Sequence, residues 1–294
     1  MRRRTRIDWL PPALLAPAGL VMAVLLAYPL LSGIVLGFFN TRLLRYGQGR
    51  FIGLDNYIAL ADDPNFWNSV WVTLLYGVVV TVCTYALGLG LAVLLNRRMP
   101  GRGLLRTIII MPWAIPEVVA VLIFVWMLDA QYGVINYALV EAGILRAPAA
   151  WLSDADLAMP ALVMVTCWQQ FPLAMLILLA GLQTIPRELY EAAMSDGAGR
   201  WAAFRHVTWP GLRSVNTVLV LILILNSFRR VTVIYTMTAG GPARATETLS
   251  ILTYNTAFQY QRLGYAAAIG TVLLLILLVL SLVYLRVARL NQPA

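Results

Sequence analysis

The stretch YAAAIGTVLLLILLVLSLVYLRV, Tyr265 to Val287, holds one arginine and no acid. At ~1.5 Å per helical residue it is long enough to cross a hydrocarbon core of ~30 Å. Its interior, Val272 to Val283, shows no apolar-polar alternation, so it does not fit the alternating strands of ~10 residues that build a membrane barrel. Working outward, comparable runs occur at Pro12 to Phe39, Val70 to Leu95, Leu104 to Leu128, Leu157 to Leu182 and Val215 to Tyr235. The fold class predicted is membrane all-α with six transmembrane helices. The composition agrees, with 61% hydrophobic and only 12% charged residues. The expected organisation is an N-terminal stub, first helix and outer loop over 1–69, a transmembrane core over 70–287 with a loop at 183–214, and a tail at 288–294.

Every basic side chain other than His206 is arginine, and the arginines are unevenly placed. Arg2, Arg3, Arg4 and Arg6 precede the first run; Arg97, Arg98, Arg102 and Arg106 follow the second; Arg187, Arg200, Arg205 and Arg213 follow the fourth; Arg286 and Arg289 close the last. Basic residues beside spans stay on the cytoplasmic side, so both termini are expected there. The net charge of +9 is then a topology signal, and no nucleic-acid partner is implied. The first run exceeds a signal-peptide core and reads as an uncleaved anchor. Cys83 and Cys167 fall within apolar runs and read as packing residues.

Several chemistries are excluded. A phosphate-binding P-loop needs lysine, and the chain has none. The single histidine rules out paired-histidine zinc sites, and no GxSxG elbow is present. Among carboxylates only Glu117 lies deep in a span, without a second buried acid to complete a catalytic pair. No metal site is expected.

The loop after the fourth run reads QTIPRELYEAAMSDGAGRWAAFRHVTWP, Gln183 to Pro210. Thr184 is a predicted N-cap, Pro186 fits a first turn, and Glu188 and Glu191 suit the positive end of a helix dipole. Leu189, Ala192 and Ala193 share a face; Gly197 and Gly199 break the helix; Trp201, Phe204 and Val207 resume helical spacing until Pro210 ends it. Physically this is either an amphipathic connector on the headgroups or a docking knob for a partner.

The string Glu191-Ala192-Ala193, then Asp196-Gly197-Ala198, Phe204, Val207 and Pro210, resembles the EAA loop of permeases in binding-protein-dependent ABC importers. Met111 to Pro116, Tyr132 to Asn136, Ala180 to Pro186 and Gly240-Gly241-Pro242 resemble the sugar-importer branch related to maltose permeases. The resemblance implies a six-helix type I importer permease in the bacterial cytoplasmic (inner) membrane. It implies a coupling helix carrying Glu191, Ala192, Ala193, Asp196 and Gly197 that seats in an ATPase. The implied partners are a second homologous permease forming a heterodimer, two ATP-binding subunits and an extracytoplasmic sugar-binding protein. ATP and magnesium belong to the ATPase, and no cofactor is expected on this chain.

Polar groups within spans are costly and mark pathway candidates. Glu117, Gln169, Gln170 and Asn226 come to a similar depth by helical rise, and Trp113 lies near in sequence. Arg229 and Arg230 stand one turn beyond Asn226, placed to meet an anionic group or to snorkel. The predicted pathway set is Trp113, Glu117, Gln169, Gln170, Asn226 and Arg230. These groups equally suit hydrogen bonds between helices, and Glu117 equally suits an arginine on a neighbouring helix. Two other classes remain open: a proton- or ion-coupled carrier using Glu117, and an intramembrane enzyme.

Overall fold

The computed structural model describes residues 10–97 and 99–290. Arg2, Arg3, Arg4, Arg6 and Arg98, the tail residues 291–294 and the side chain of Arg289 lie outside the description. The described chain is mostly helical, with five helices long and apolar enough to span a membrane and a bent apolar pair, Arg102–Ala114 with Glu117–Met127, that makes a sixth when counted as one span. It divides into two units, one running to Asp63 and including Thr253–Val272, the other comprising Pro64–Leu252 and the chain from Leu273 onward.

In the first unit, Leu10–Met22, a wide turn at Ala23–Ala27 and Tyr28–Leu36 run on as one helix, α1. The amide of Tyr28 reaches back to the Ala23 carbonyl, and this five-residue turn sits just before Pro29, whose ring would crowd a regular turn. None of the apolar window within Leu14–Leu36 is buried, as befits a helix solvated by lipid. Strands β1 (Phe39–Asn40) and β2 (Arg50–Phe51) pair antiparallel, and α2 (Asp55–Ala61) is tied beneath them. The tie is Asn56, whose buried amide donates to the carbonyls of Gly37 at 2.8 Å and Phe39 at 3.2 Å.

The second unit is built on α3 (Pro64–Leu95) and α7 (Ala155–Thr184), with α4 (Arg102–Ala114), α5 (Glu117–Met127) and α6 (Val134–Glu141) between them. Glycine lets α3 come close to its neighbours. A Cβ on Gly88 would lie 2.7 Å from the Ala174 Cβ, and one on Gly77 would collide with the Phe228 ring. Polar links also join α3 to its neighbours: the buried Tyr76 and Thr166 hydroxyls meet at 2.8 Å, and the partly buried Tyr85 hydroxyl donates to Asn216 Oδ1 at 2.9 Å. Two apolar clusters result. One centres on Tyr76, Val80, Leu162 and Val165, the other on Leu95, Leu178, Leu182 and Leu212.

The third span differs from the expected continuous helix. Helices α4 and α5 meet at 92°. Ile115, held extended by the proline after it, has φ −75° and ψ 133°, and Pro116 has φ −54° and ψ 131°. Proline alone does not dictate this, because α7 continues as one helix past Pro160 and Pro172.

After α7 come α8 (Arg187–Ser195) and α9 (Arg200–Ala203), then a wide turn at Phe204–Thr208 that leads through Trp209–Gly211 into α10 (Arg213–Phe228) and α11 (Thr232–Thr238). Two local expectations are corrected. Thr184 does not cap α8; its hydroxyl bonds the Gly181 carbonyl at 2.8 Å and closes α7, while Pro186 occupies the cap position. Pro210 does not end the helical stretch, because the Trp209 amide reaches back to the Phe204 carbonyl and the wide turn accommodates the ring.

Candidate functional site

The break in the third span puts Glu117 at the first position of α5, where the free amides and dipole of a helix start favour a carboxylate. Arg230 lies just beyond the C-terminal end of α10, where the dipole favours a cation. The two meet, with Arg230 Nη1 donating to Glu117 Oε1 at 2.9 Å and to Gln169 Oε1 on α7 at 2.8 Å. The bridge therefore ties three spans together. It is partly open, the Glu117 side chain being 36% exposed against 14% for Arg230. Of the readings left open for Arg230, it turns inward to an acid. Arg229, by contrast, is exposed and bonds the Leu225 carbonyl.

Gln170 is buried beside Gln169 in sequence, and among the described residues its Nε2 has no acceptor. Asn226 is half-buried one turn before Arg230. Trp113 stands on α4 ahead of the break and is half-exposed. The structure thus joins Glu117, Gln169 and Arg230, and does not draw Trp113 or Asn226 into that bridge. Trp168 packs edge-on to Phe124 of α5 with centroids 4.9 Å apart. With Cys83 and Cys167 it lines an apolar cavity of about 640 Å³ between α3 and α7.

Helix α8 presents Glu191 and Ala192 outward, with Ala193 half-buried and Asp196 and Gly197 exposed. Gly197 takes φ +78°, the left-handed conformation that closes a helix, and the Ala198 amide completes the turn on the Ala193 carbonyl at 2.9 Å. Tyr190, not Leu189, anchors this helix. Its hydroxyl meets that of Thr208 at 3.0 Å and its ring packs on the cluster around Leu182 and Leu212, whereas Leu189 is 52% exposed. Sequence reading missed Tyr190; its (i, i+3) spacing to Ala193 was the available signal.

The turn after α5 is organised by Asn136, buried at 2% exposure. Its Nδ2 donates to the carbonyls of Asp129 and Ala149, and its Oδ1 accepts from the Ala149 amide and the Trp151 indole. The Asp129 carboxyl accepts the amides of Gln131 and Tyr132, and these hold it below the usual carboxylate range.

Apolar helices of spanning length, an ion pair at the break of a bent apolar pair and an exposed amphipathic helix mark a polytopic membrane protein. Residues 84–293 match the family described as binding-protein-dependent transport system inner membrane component. The chain is 34% identical over 276 residues to a sulfoquinovosyl glycerol transport system permease of Agrobacterium fabrum, covering 94% of this chain and 89% of that one. It is 36% identical over 245 residues to a trehalose/maltose transport system permease of Thermococcus litoralis, covering 82% and 81%. In fold it resembles a chain of a bacterial ABC transporter that imports the acidic polysaccharide alginate, with TM-score 0.84, 23% identity and 97% of each chain covered. The protein belongs to the binding-protein-dependent transport family and is a multi-pass inner-membrane component. Its fold is that of a type I ABC importer permease.

Proposed function

We propose that this chain is one of two permeases in an ATP-driven importer, moving a sugar or oligosaccharide handed over by an extracytoplasmic binding protein. The observation that carries the reading is the bridge of Glu117, Arg230 and Gln169, which places charged and amide groups between spans at the point where one of them breaks. Such groups suit hydroxyl-rich solutes, and the relatives named for sulfoquinovosyl glycerol and trehalose/maltose support a saccharide. Trp113, Gln170 and Asn226 complete the lining together with groups from the second permease, a different chain of the same family.

The chain itself performs no hydrolysis. Two ATP-binding subunits hold ATP and magnesium and receive α8, with Glu191 and Asp196 meeting basic groups and Ala192, Ala193 and Gly197 allowing close backbone approach. Both termini and α8 lie on the cytoplasmic side. ATP binding draws the coupling helices together and turns the cavity outward; hydrolysis returns it inward. The test is uptake by the reconstituted importer. Glu191→Lys and Gly197→Val are each expected to reduce uptake to background while the permease still reaches the membrane. Normal uptake and solute-stimulated ATP hydrolysis in both variants would refute the assignment.

A further inference from the structure

Two adjoining cavities lie where α3 and α7 end and α4 and α8 begin. The first, about 600 Å³, is lined by Arg102 and Arg187 together with Gln183 and Glu191. The second, about 560 Å³, is lined by Arg97 and Arg200. They share a wall made by Asn96, Leu182, Tyr190 and Met194. Among the described residues none of these four arginines forms an ion pair or a side-chain hydrogen bond. Among the described residues Glu191 is the one carboxylate in either lining, set against the four arginines.

The position decides what kind of anion fits. Leu95 and Thr184 are the last residues of two spanning helices, so the lobes open at the ends of those spans. Just beyond Arg102, α4 presents Leu104, Leu105 and Ile108 to the surroundings, an apolar track on which acyl chains can lie. Trp201 and Trp209 are exposed nearby, as aromatic side chains are at a membrane interface. Two guanidinium pairs, one in each of two joined lobes, match two phosphates rather than one.

We infer that this double cavity binds an anionic phospholipid carrying two phosphodiester groups, of the diphosphatidylglycerol type, with one phosphate on Arg102 and Arg187 and the other on Arg97 and Arg200. The inference is independent of the transported solute, and it places the lipid on the membrane side of α8, whose Glu191 also lines the first lobe. Each guanidinium near an anionic headgroup contributes about fivefold in affinity, so removing one pair weakens binding by about 10- to 30-fold.

The experiment is native mass spectrometry of the purified full chain titrated with diphosphatidylglycerol, phosphatidylglycerol, phosphatidylcholine and inorganic pyrophosphate. The variants are Arg102→Gln/Arg187→Gln and Arg97→Gln/Arg200→Gln, with retained phosphatidylcholine binding and unchanged helical circular dichroism as checks on folding. Diphosphatidylglycerol is expected to bind most tightly, phosphatidylglycerol at least fivefold more weakly, and pyrophosphate not measurably. Each variant is expected to lose the preference. Equal binding of the two anionic lipids, pyrophosphate binding as tight as the lipid, or a preference that survives both variants overturns the proposal.

Discussion

Removing the Glu117 carboxylate tests the bridge between the spans most directly. In Glu117→Ala, Arg230 keeps Gln169 at 2.8 Å but loses the acid at 2.9 Å. Breaking a fully buried pair costs about 3–5 kcal/mol, an exposed pair about 0–1 kcal/mol. Glu117 is 36% exposed and Arg230 14%, so the value expected lies between these, at about 2 kcal/mol. The helix ends supply part of that, because the acid sits at the start of α5 and the cation beyond the end of α10. At about 2–4 °C per kcal/mol for a chain of this size, the apparent melting temperature should fall by about 4–8 °C. A thiol-reactive dye in detergent provides the assay, since Cys167 is buried and free in the folded chain. Glu117→Gln, which keeps an acceptor without the charge, should lose about half as much. Arg230→Ala combined with Glu117→Ala should lose clearly less than the sum of the single changes. Strict additivity, or no loss in Glu117→Ala, would refute the claim that this pair holds the broken span to its neighbours.

Two further outcomes follow from local geometry. Asn136→Ala removes four hydrogen bonds from a buried site and should cost about 2–4 kcal/mol, read as a lowered melting temperature. Asn136→Asp should be no milder, because it sets a carboxylate against the Asp129 and Ala149 carbonyls. Gly88→Val should force α3 from α7 and cost about 1–3 kcal/mol, whereas Gly90→Ala, with nothing within 4 Å of its added Cβ, should be neutral or stabilising in the same measurement.

Much of the architecture was legible before any coordinates. Span positions follow from length and hydropathy alone, and Val215 to Tyr235 as predicted falls within the observed Arg213–Thr238. The break in the third span was not legible, although Pro112 and Pro116 were in plain view. Proline is permissive in a spanning helix, as Pro160 and Pro172 in α7 demonstrate, so only packing decides whether it bends the chain. Likewise Glu117, Gln169 and Arg230 each stood out as polar residues in apolar runs. Their union did not, since Arg230 is 113 residues from Glu117 and 61 from Gln169.

The sequence by itself determined that the chain lives in a membrane, where its apolar helices lie, and which loop carries the exposed helix with Glu191. These are properties of local composition, set by the cost of placing backbone and charge in hydrocarbon. Only the tertiary structure decided that the third span bends by 92° and that Tyr190 rather than Leu189 anchors α8. It alone decided that Arg230 turns inward to an acid instead of outward to the interface. Those outcomes depend on which distant side chain supplies a partner, and a charged or hydroxyl partner within hydrogen-bond reach outweighs the local preference.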